Sequence, residues 1–198
     1  MKKLMLLCFF MVFTAVFSGE KRISGIKTLE FITKEKLTVN GGNRDTEYKV
    51  KFQIPNKIKK EMLLPEINKG ELYIYTGEEK IVYLPLFEQV SHEKVSSDEN
   101  RIIEVINYIF EKEKKDTNFR KKYYNGEIKE IVLEDGIKIV FNSFKNIAGY
   151  ILPETFELYD NNIKIGNILI ENYQINPKFD KKEFILEEWN FLIVKGLS

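Results

Sequence analysis

The side chains that most often carry out catalysis are sparse in this chain. It has one histidine, His92, and one cysteine, Cys8, among 198 residues. His92 stands in the polar stretch Ser91-His92-Glu93-Lys94, with no recognisable nucleophile or metal-binding group beside it. General acid–base catalysis and metal binding both need such a partner, so we expect His92 to face solvent.

The acidic residues are numerous, but most are mixed with lysines, as in Glu111-Lys112-Glu113-Lys114-Lys115. Opposite charges three or four residues apart are typical of a solvated helix face and not of a pair of catalytic carboxylates. The sequence contains no phosphate-binding loop, no Gly-x-Ser-x-Gly motif and no zinc-ligand spacing. We therefore expect a protein that is not an enzyme and has no cofactor and no metal.

The first 18 residues have the features of a cleaved signal peptide. Met1-Lys2-Lys3 is positively charged, Leu4 to Phe17 is an uncharged apolar run, and Val16 and Ser18 fit a cleavage site. The run of about 14 residues is shorter than the ~20 residues that span a bilayer, which favours a cleaved signal over a membrane anchor. Cys8 lies inside the run, so we expect no lipid anchor and a mature chain without cysteine. Export without disulfides favours the bacterial periplasm.

Charge and composition restrict the partners. The formal net charge is +1, and acidic and basic residues are interspersed without the basic stripe that nucleic-acid binding needs. We therefore expect no nucleic-acid partner. The chain has 15 phenylalanines and 10 tyrosines, which favours a protein rich in β-structure with extensive apolar surface to cover.

Strand patterns occupy most of the mature chain. Apolar and polar residues alternate strictly from Tyr48 to Ile54, which predicts a half-buried strand. Glu134-Asp135-Gly136 predicts a hairpin turn, and Asp160-Asn161-Asn162 predicts another. Further strands are predicted at 26–39, 58–64, 72–75, 81–84, 128–133, 137–144, 153–158, 168–175 and 189–194.

One helical insertion separates two sets of strands. Apolar residues recur at helical spacing from Ile102 to Phe110, after a possible cap at Ser96-Ser97-Asp98, and a shorter helix is predicted at Asp116 to Tyr123. The predicted fold is α+β and mainly β. An antiparallel sheet of about eight to eleven strands must curl, and helices would cover its concave face. We expect one domain over residues 19–198.

The hairpin within residues 70–90 has more apolar surface than a soluble hairpin needs. Its strands at 72–75 and 81–84 are apolar on both faces, whereas such a hairpin normally keeps one face polar. Residues 168–170 share this property. Since catalytic groups are sparse, this surplus apolar surface suggests that the protein binds an apolar ligand.

Short motifs in the same region resemble those of a known family. They are Pro55-Asn56-Lys57-Ile58, then Gly77 before a strand, then Tyr83-x-Pro85-x-x-Glu88-Gln89-Val90. Residues 175–184 are similar to a turn of lipoprotein-sorting proteins. Over residues 47–186 the sequence resembles a divergent member of the LolA-like family, the periplasmic carriers of outer-membrane lipoproteins.

This resemblance implies an unclosed half β-barrel whose helices cover an apolar cavity for acyl chains. It also implies a non-enzymatic carrier, which collects lipoproteins from an inner-membrane ABC transporter and passes them to an outer-membrane acceptor. Two features depart from the family. Ile54 occupies the position of an arginine that latches the lid, and Glu20 to Val39 looks extended where the family has a helix.

The resemblance and the apolar pattern together give a candidate site and a ligand. The cargo would be a lipoprotein or another lipid, bound by a monomer. A register change of one residue would exchange part of the wall for Tyr73, Tyr75, Ile81 and Tyr83. The alternative function is a non-catalytic lipid-sensing, regulatory or envelope-interaction module of the same fold. The residues expected in the cavity wall are Phe52, Met62, Leu64, Leu72, Ile74, Val82, Leu84, Phe141, Ile168 and Ile170, and those of the lid are Ile102, Ile106 and Ile109.

Overall fold

The structure is a computed structural model and describes residues 20–39, 42–95, 99–186 and 192–195. The predicted signal peptide, the possible helix cap at 96–98 and the start of the last predicted strand lie outside these ranges. The strands are β1 (Thr28–Val39), β2 (Gly42–Gln53), β3 (Lys57–Leu64), β4 (Leu72–Thr76), β5 (Glu79–Leu84), β6 (Gln89–Lys94), β7 (Glu130–Val132), β8 (Lys138–Ile147), β9 (Tyr150–Asp160), β10 (Ile163–Ile175) and β11 (Leu192–Lys195). The helices are α1 (Arg101–Lys115) and α2 (Thr117–Tyr124).

All the strands belong to one sheet, in the order β11-β6-β5-β4-β3-β2-β1-β10-β9-β8-β7. Ten of them pair antiparallel, and β11 adds to β6 in parallel. In the described residues, β11 and β7 end the sheet without pairing to each other, so the barrel is not closed. The predicted unclosed half-barrel of the α+β class is therefore confirmed.

Local sequence explains most of the turns. Asn161 and Asn162 both have positive φ, of 47° and 64°, and form the two-residue turn between β9 and β10. Asparagine tolerates this conformation better than most residues, which matches the predicted hairpin. Pro85 ends β5 as predicted, and a short 3-10 helix follows at Pro85–Phe87.

Several strands differ from the sequence prediction: β2 begins at Gly42 and not at Tyr48, and β10 begins at Ile163 and not at 168. The polar stretch around His92 forms β6, which was not predicted. It pairs with β5 through its backbone, while half of its side chains are exposed and give no apolar pattern. β9 begins at Tyr150 and not at 153, since Ala148 and Gly149 adopt positive φ and form the turn before it. The extended start of the mature chain is confirmed by β1, which follows a short 3-10 helix at Ile23–Gly25.

The helices pack on the concave face of the sheet. Seven residues of α1 are buried, and six of them are the apolar residues predicted from helical spacing: Ile102, Ile103, Val105, Ile106, Ile109 and Phe110. α2 starts after Asp116, whose carboxylate accepts hydrogen bonds from the backbone N–H groups of Asn118 and Phe119 at 2.9 Å. This cap stabilises the helix start. Among the described residues, no helix is both long enough and apolar enough to span a membrane.

The C-terminal part of the chain follows the convex face. Glu183 accepts from Lys51 of β2 at 2.8 Å and from Lys59 of β3 at 3.0 Å. Lys59 pairs across strands with Ile74 of β4, which is buried although it faces away from the helices. The hairpin of β4 and β5 is therefore apolar on both sides because both faces of the sheet are covered there.

Candidate ligand-binding site

The concave face and α1 enclose one large hydrophobic cluster. Eight of the thirteen predicted wall and lid residues belong to it, and each is at most 6 % exposed. The side chains of the sheet and of α1 fill this space by packing against each other. The eight residues are Phe52, Met62, Phe141, Ile168, Ile170, Ile102, Ile106 and Ile109.

Strand pairing divides the other predicted wall residues between the two faces. Tyr75 pairs with Ile58, which pairs with Phe52, so Tyr75 and Tyr73 share the concave face. Leu72 and Ile74 therefore face the convex side, and their expected place in a wall under α1 is wrong. The cause is that β4 is apolar on both faces, so alternation alone cannot say which side faces the helices.

The remaining three predicted residues lie towards the edge of the concave face. Val82 pairs with Tyr73 and is buried, and Leu84 lies two residues further along the same face of β5 and is half-buried. Leu64 ends β3 and is 46 % exposed, so it lies at the rim of the sheet and not in its interior.

α1 is tied to the sheet at its N-terminal half by polar contacts. Asn107 donates its side-chain amide to the carbonyl oxygen of Pro55 at 3.0 Å. Arg101 pairs with Asp135 in the turn between β7 and β8 at 2.5 Å. Glu99, just before the helix, pairs with Lys80 of β5 at 2.9 Å. The Asn107 hydrogen bond is exposed and contributes little to stability, whereas Lys80 is buried and Arg101 is 19 % exposed.

The C-terminal end of α1 is held by a buried ionic contact. Glu113 is 0 % exposed, and its carboxylate pairs with Arg22 at 2.9 Å and with Arg120 at 3.3 Å. Glu113 was predicted to lie on a solvated helix face, and this is wrong because Arg22 and α2 fold over it. Burial acts to raise the pKa of Glu113, but hydrogen bonds from Arg22 and Ser24 and the two arginine charges lower it below its ordinary value.

α2 adds a second buried anchor beside this contact. The hydroxyl of Tyr123 donates to the backbone oxygen of Ile151 in β9 at 2.7 Å. Burial raises the pKa of Tyr123 well above its ordinary value, so the phenol stays protonated and keeps donating. The hydroxyl of Tyr124 accepts from the backbone N–H of Ile23 at 3.0 Å. α1 is therefore anchored at its end and latched at its start.

The concave face changes from apolar to polar near the start of α1. A pocket of about 310 Å³ lies there. It is bounded by the C-terminal part of β1, the N-terminal part of β2, strands β3 to β5 and the residues that begin α1. Met62, Tyr73 and Tyr75 line it together with charged groups. Its charged lining residues are Glu35, Arg44, Lys60, Lys80, Glu99 and Arg101.

Sequence reasoning missed this pocket, although one signal pointed to it. Lys60 interrupts the apolar alternation of β3 between Ile58 and Met62, at a position that faces the helices. A charged residue on an otherwise apolar strand face is costly unless it has a role, so such an interruption marks a candidate site.

A wider groove lies on the outer side of α1. It has a volume of about 930 Å³ and runs between the polar face of the helix and the start of the β7–β8 hairpin. Tyr108, Val132 and Leu133 line it among charged side chains. None of the predicted wall or lid residues line this groove, and only Met62 lines the smaller pocket.

Apolar side chains are also exposed at the rim of the sheet. Ile67 is 75 %, Leu86 69 % and Phe87 61 % exposed, and Leu64 lies at the same end of the strands. A side chain built at Gly70 would lie 3.6 Å from Pro85, so the β3–β4 and β5–β6 loops are adjacent. We call Leu64, Ile67, Leu86 and Phe87 the apolar rim.

The described residues hold no group of three or more histidine, cysteine, aspartate or glutamate side chains arranged to bind a metal ion. His92 has an exposed side chain in β6. The ion pairs of the described residues lie around α1 and also along the strands, as between Lys34 and Glu171.

Comparison with solved structures identifies the fold. A LolA superfamily protein from Nitrosomonas europaea superposes with a TM-score of 0.56 at 10 % identity, over 84 % of this chain and 95 % of that chain. The chain has a LolA-like fold. A putative outer membrane lipoprotein-sorting protein domain from Vibrio parahaemolyticus gives a TM-score of 0.51 at 11 % identity, over 80 % and 89 % of the two chains.

A third similar structure is a DUF1329 family protein from Desulfovibrio piger, with a TM-score of 0.52 at 10 % identity over 80 % of this chain and 90 % of that chain. No family model and no curated protein matches the sequence. At these identities the likeness shows the fold alone, and the ligand depends on the residues of this chain.

Proposed function

We propose that this protein is a periplasmic carrier that binds the acyl chains of a lipoprotein, or another lipid, and moves them towards the outer membrane. The observation that carries this proposal is the apolar cluster between the concave face and α1. In LolA-like folds this is where helices cover the sheet, and burial of acyl chains there is worth ~0.8 kcal/mol per methylene. The binding needs no catalytic group.

Because the cluster is filled by protein side chains, acyl chains have to replace contacts made by α1. The helix is held unequally at its two ends. Its C-terminal end carries the contact of Glu113, whose carboxylate is fully buried, whereas its N-terminal half is held by the exposed hydrogen bond of Asn107 and by the ion pair of Arg101 with Asp135, which is 36 % exposed. Displacement of the N-terminal half about an anchor at Glu113 therefore disrupts the fewest buried polar contacts.

This arrangement supplies a lid latch without the arginine that the family has at the position of Ile54. In this chain the donor is on the helix, at Asn107, and the acceptor is the backbone oxygen of Pro55, one residue after Ile54. The wall of the opened site consists of Phe52, Met62, Phe141, Ile168 and Ile170, with Val82 and Leu84 at its edge. Ile102, Ile106 and Ile109 form the inner face of the lid.

The apolar rim is the surface that we propose for contact during transfer. Contiguous exposed apolar residues on a soluble protein often mark interaction sites. An inner-membrane transporter and an outer-membrane acceptor are the expected partners.

The same packed cluster also favours a second candidate function. A space occupied by buried side chains suits a non-catalytic module that senses lipids or binds an envelope protein, and does not ferry cargo. The two functions differ in how much ligand the protein holds when it is isolated.

Native mass spectrometry of protein purified from envelope extracts, followed by lipid extraction, tests the proposal. A carrier is expected to retain lipid or lipoprotein and to bind a triacylated lipopeptide at a ratio of one to one. Protein that is folded, carries no lipid and does not bind the lipopeptide would contradict the proposal. Stable capture of a membrane-anchored signalling protein by such lipid-free material would support the second function.

A further inference from the structure

The polar pocket at the start of α1 contains more positive than negative charge. Four cationic side chains, Arg44, Lys60, Lys80 and Arg101, line it together with two carboxylates, Glu35 and Glu99. An excess of cations in a partly enclosed space attracts an anion more strongly than the same charges on an open surface.

Both carboxylates of the pocket already have partners in the protein. Glu35 accepts from the hydroxyl of Tyr48 at 2.5 Å and from that of Thr46 at 3.4 Å. Glu99 pairs with Lys80, which also pairs with Glu93 at 2.7 Å. Arg101 is engaged by Glu104 and Asp135. The charges that remain are those of Lys60 and Arg44, together with the negative charge of Glu35, whose two partners are neutral hydroxyls.

Lys60 is held by aromatic rings in place of a carboxylate. Its ammonium nitrogen lies 4.2 Å from the centre of the Tyr48 ring and 5.6 Å from that of Tyr73. Over the part of the chain that the structure describes, no carboxylate oxygen lies within 4.0 Å of this nitrogen. The aromatic faces stabilise the positive charge, but they do not accept hydrogen bonds from the three N–H groups of the ammonium as an anion would.

The neighbouring lysine provides a contrast within the same strand. Lys59 points to the convex face and pairs with Glu183 at 3.0 Å. Lys60 points to the concave face, where burial lowers its pKa and the charge of Glu35 opposes this effect. The ammonium of Lys60 is therefore partly desolvated and has donors left for a ligand.

We propose that this pocket binds the anionic headgroup, a phosphate or a carboxylate, of an amphiphile whose acyl chains lie against the concave face. Lys60 and Arg44 would contact the anion, and Tyr73 and Met62 would line the passage from the headgroup to the chains. This inference rests on the proposed lipid-carrier function and narrows it to anionic ligands.

Calorimetric titration of the full chain with three probes tests this inference, with each amphiphile below its critical micelle concentration. The probes are decyl phosphate, the neutral decyl maltoside and inorganic phosphate. Decyl phosphate is expected to bind about ten-fold or more tightly than decyl maltoside, since hydrogen bonds to charged groups contribute this much. Inorganic phosphate is expected to bind more weakly than decyl phosphate, because it lacks the chain.

Variants separate the pocket from the rest of the protein. Lys60→Gln is expected to lower the affinity for decyl phosphate about ten-fold and to leave the affinity for decyl maltoside unchanged. Lys60→Arg is expected to retain most of the affinity for decyl phosphate. Lys59→Gln, the adjacent lysine on the other face, serves as the control and should bind both amphiphiles like the unaltered protein. Circular dichroism checks that each variant is folded.

Each contrary outcome has a distinct meaning. Equal affinity for the two amphiphiles, or unchanged binding by folded Lys60→Gln, would overturn the headgroup site and leave the carrier function standing. If neither amphiphile binds, the carrier function itself fails. If inorganic phosphate binds as tightly as decyl phosphate, the pocket is an anion site without an acyl-chain site.

Discussion

The side-chain amide of Asn107, halfway along α1, donates to the backbone oxygen of Pro55 in the turn between β2 and β3 at 3.0 Å. This hydrogen bond joins the helix that covers the concave face to the sheet beneath it. It connects the same two parts of the fold that the resemblance assigns to a latch, although Ile54 replaces the family's arginine. Because the contact at Asn107 is weaker than the anchor at Glu113, the N-terminal half of α1 can separate from the sheet while its C-terminal end stays in place.

Removal of this latch should loosen the helix more than it destabilises the protein. Asn107→Ala removes one exposed hydrogen bond, so we expect a loss of about 1 kcal/mol or less in unfolding free energy. Hydrogen exchange of the N-terminal half of α1 should become faster, as should uptake of an acyl probe. Asn118→Ala, an exposed asparagine of α2, is the control. Equal exchange in the two variants would contradict a latch at Asn107.

The buried carboxylate of Glu113 should make stability depend on acid pH. Its pKa is lowered in the folded protein, whereas a glutamate of the unfolded chain titrates near ~4.3. The stabilisation is therefore present above about pH 4.3 and is lost as the pH falls through the folded pKa. Urea unfolding at pH 7 should show Glu113→Gln to be about 2 kcal/mol less stable than the unaltered protein, because charged hydrogen bonds are lost.

The difference between these two proteins should shrink as the pH falls below about 4.3 and through the lowered pKa of Glu113 in the folded protein, because the carboxyl then becomes protonated in the folded state as well. Glu111→Gln is the matched control in the same helix, because Glu111 is exposed and pairs only at the surface with Lys115. It should change stability by less than about 0.5 kcal/mol. A pH-independent cost for Glu113→Gln would show that packing, and not charge, explains the anchor.

Two buried isoleucines on opposite faces of the sheet separate acyl-chain binding from stability. Ile168 faces the helices and is 2 % exposed, and Ile74 faces the convex side and is 1 % exposed. Ile168→Thr and Ile74→Thr should each cost about 2 kcal/mol of unfolding free energy, since both bury a hydroxyl in place of an ethyl group. Only Ile168→Thr should weaken acyl-probe binding, by about five-fold or more. Equal binding losses would contradict the assignment of the concave face.

The exposed apolar rim should affect transfer without affecting binding. Ile67 and Phe87 are 75 % and 61 % exposed, so replacing both with serine should leave stability and acyl-probe affinity nearly unchanged. The rate at which bound probe passes to acceptor vesicles should fall several-fold if the rim makes the transfer contact. Lys69→Ser with Glu66→Ser, an exposed pair in the same loop, controls for loss of surface charge. Unchanged transfer by the rim variant would remove the rim from the pathway.

The sequence predicted those features that depend on local periodicity. Alternation from Tyr48 to Ile54 matches β2, and helical spacing from Ile102 to Phe110 matches α1. The asparagines and glycines of the turns have backbone preferences that short segments reveal. Most strand positions and both helices could therefore be placed before the tertiary structure was known.

Features that depend on distant segments could not be placed in this way. Ile74 was expected in the cavity because β4 is apolar on both faces. The convex face of the sheet at β4 is covered by the chain around Glu183, which is distant in sequence. Glu113 looked solvated because Arg22 lies 91 residues away in sequence. Lys60 becomes part of a pocket only when the sheet and the start of α1 come together.

The most direct test of the account is to locate a bound acyl chain. A triacylated lipopeptide with a photoreactive diazirine at the end of one acyl chain would be bound, irradiated and mapped by mass spectrometry. The account predicts labels on concave-face residues such as Phe52 and Met62 and on the inner face of α1 at Ile102, Ile106 or Ile109. Labels confined to the outer groove, the apolar rim or the convex face, on a protein that binds the lipopeptide, would contradict it.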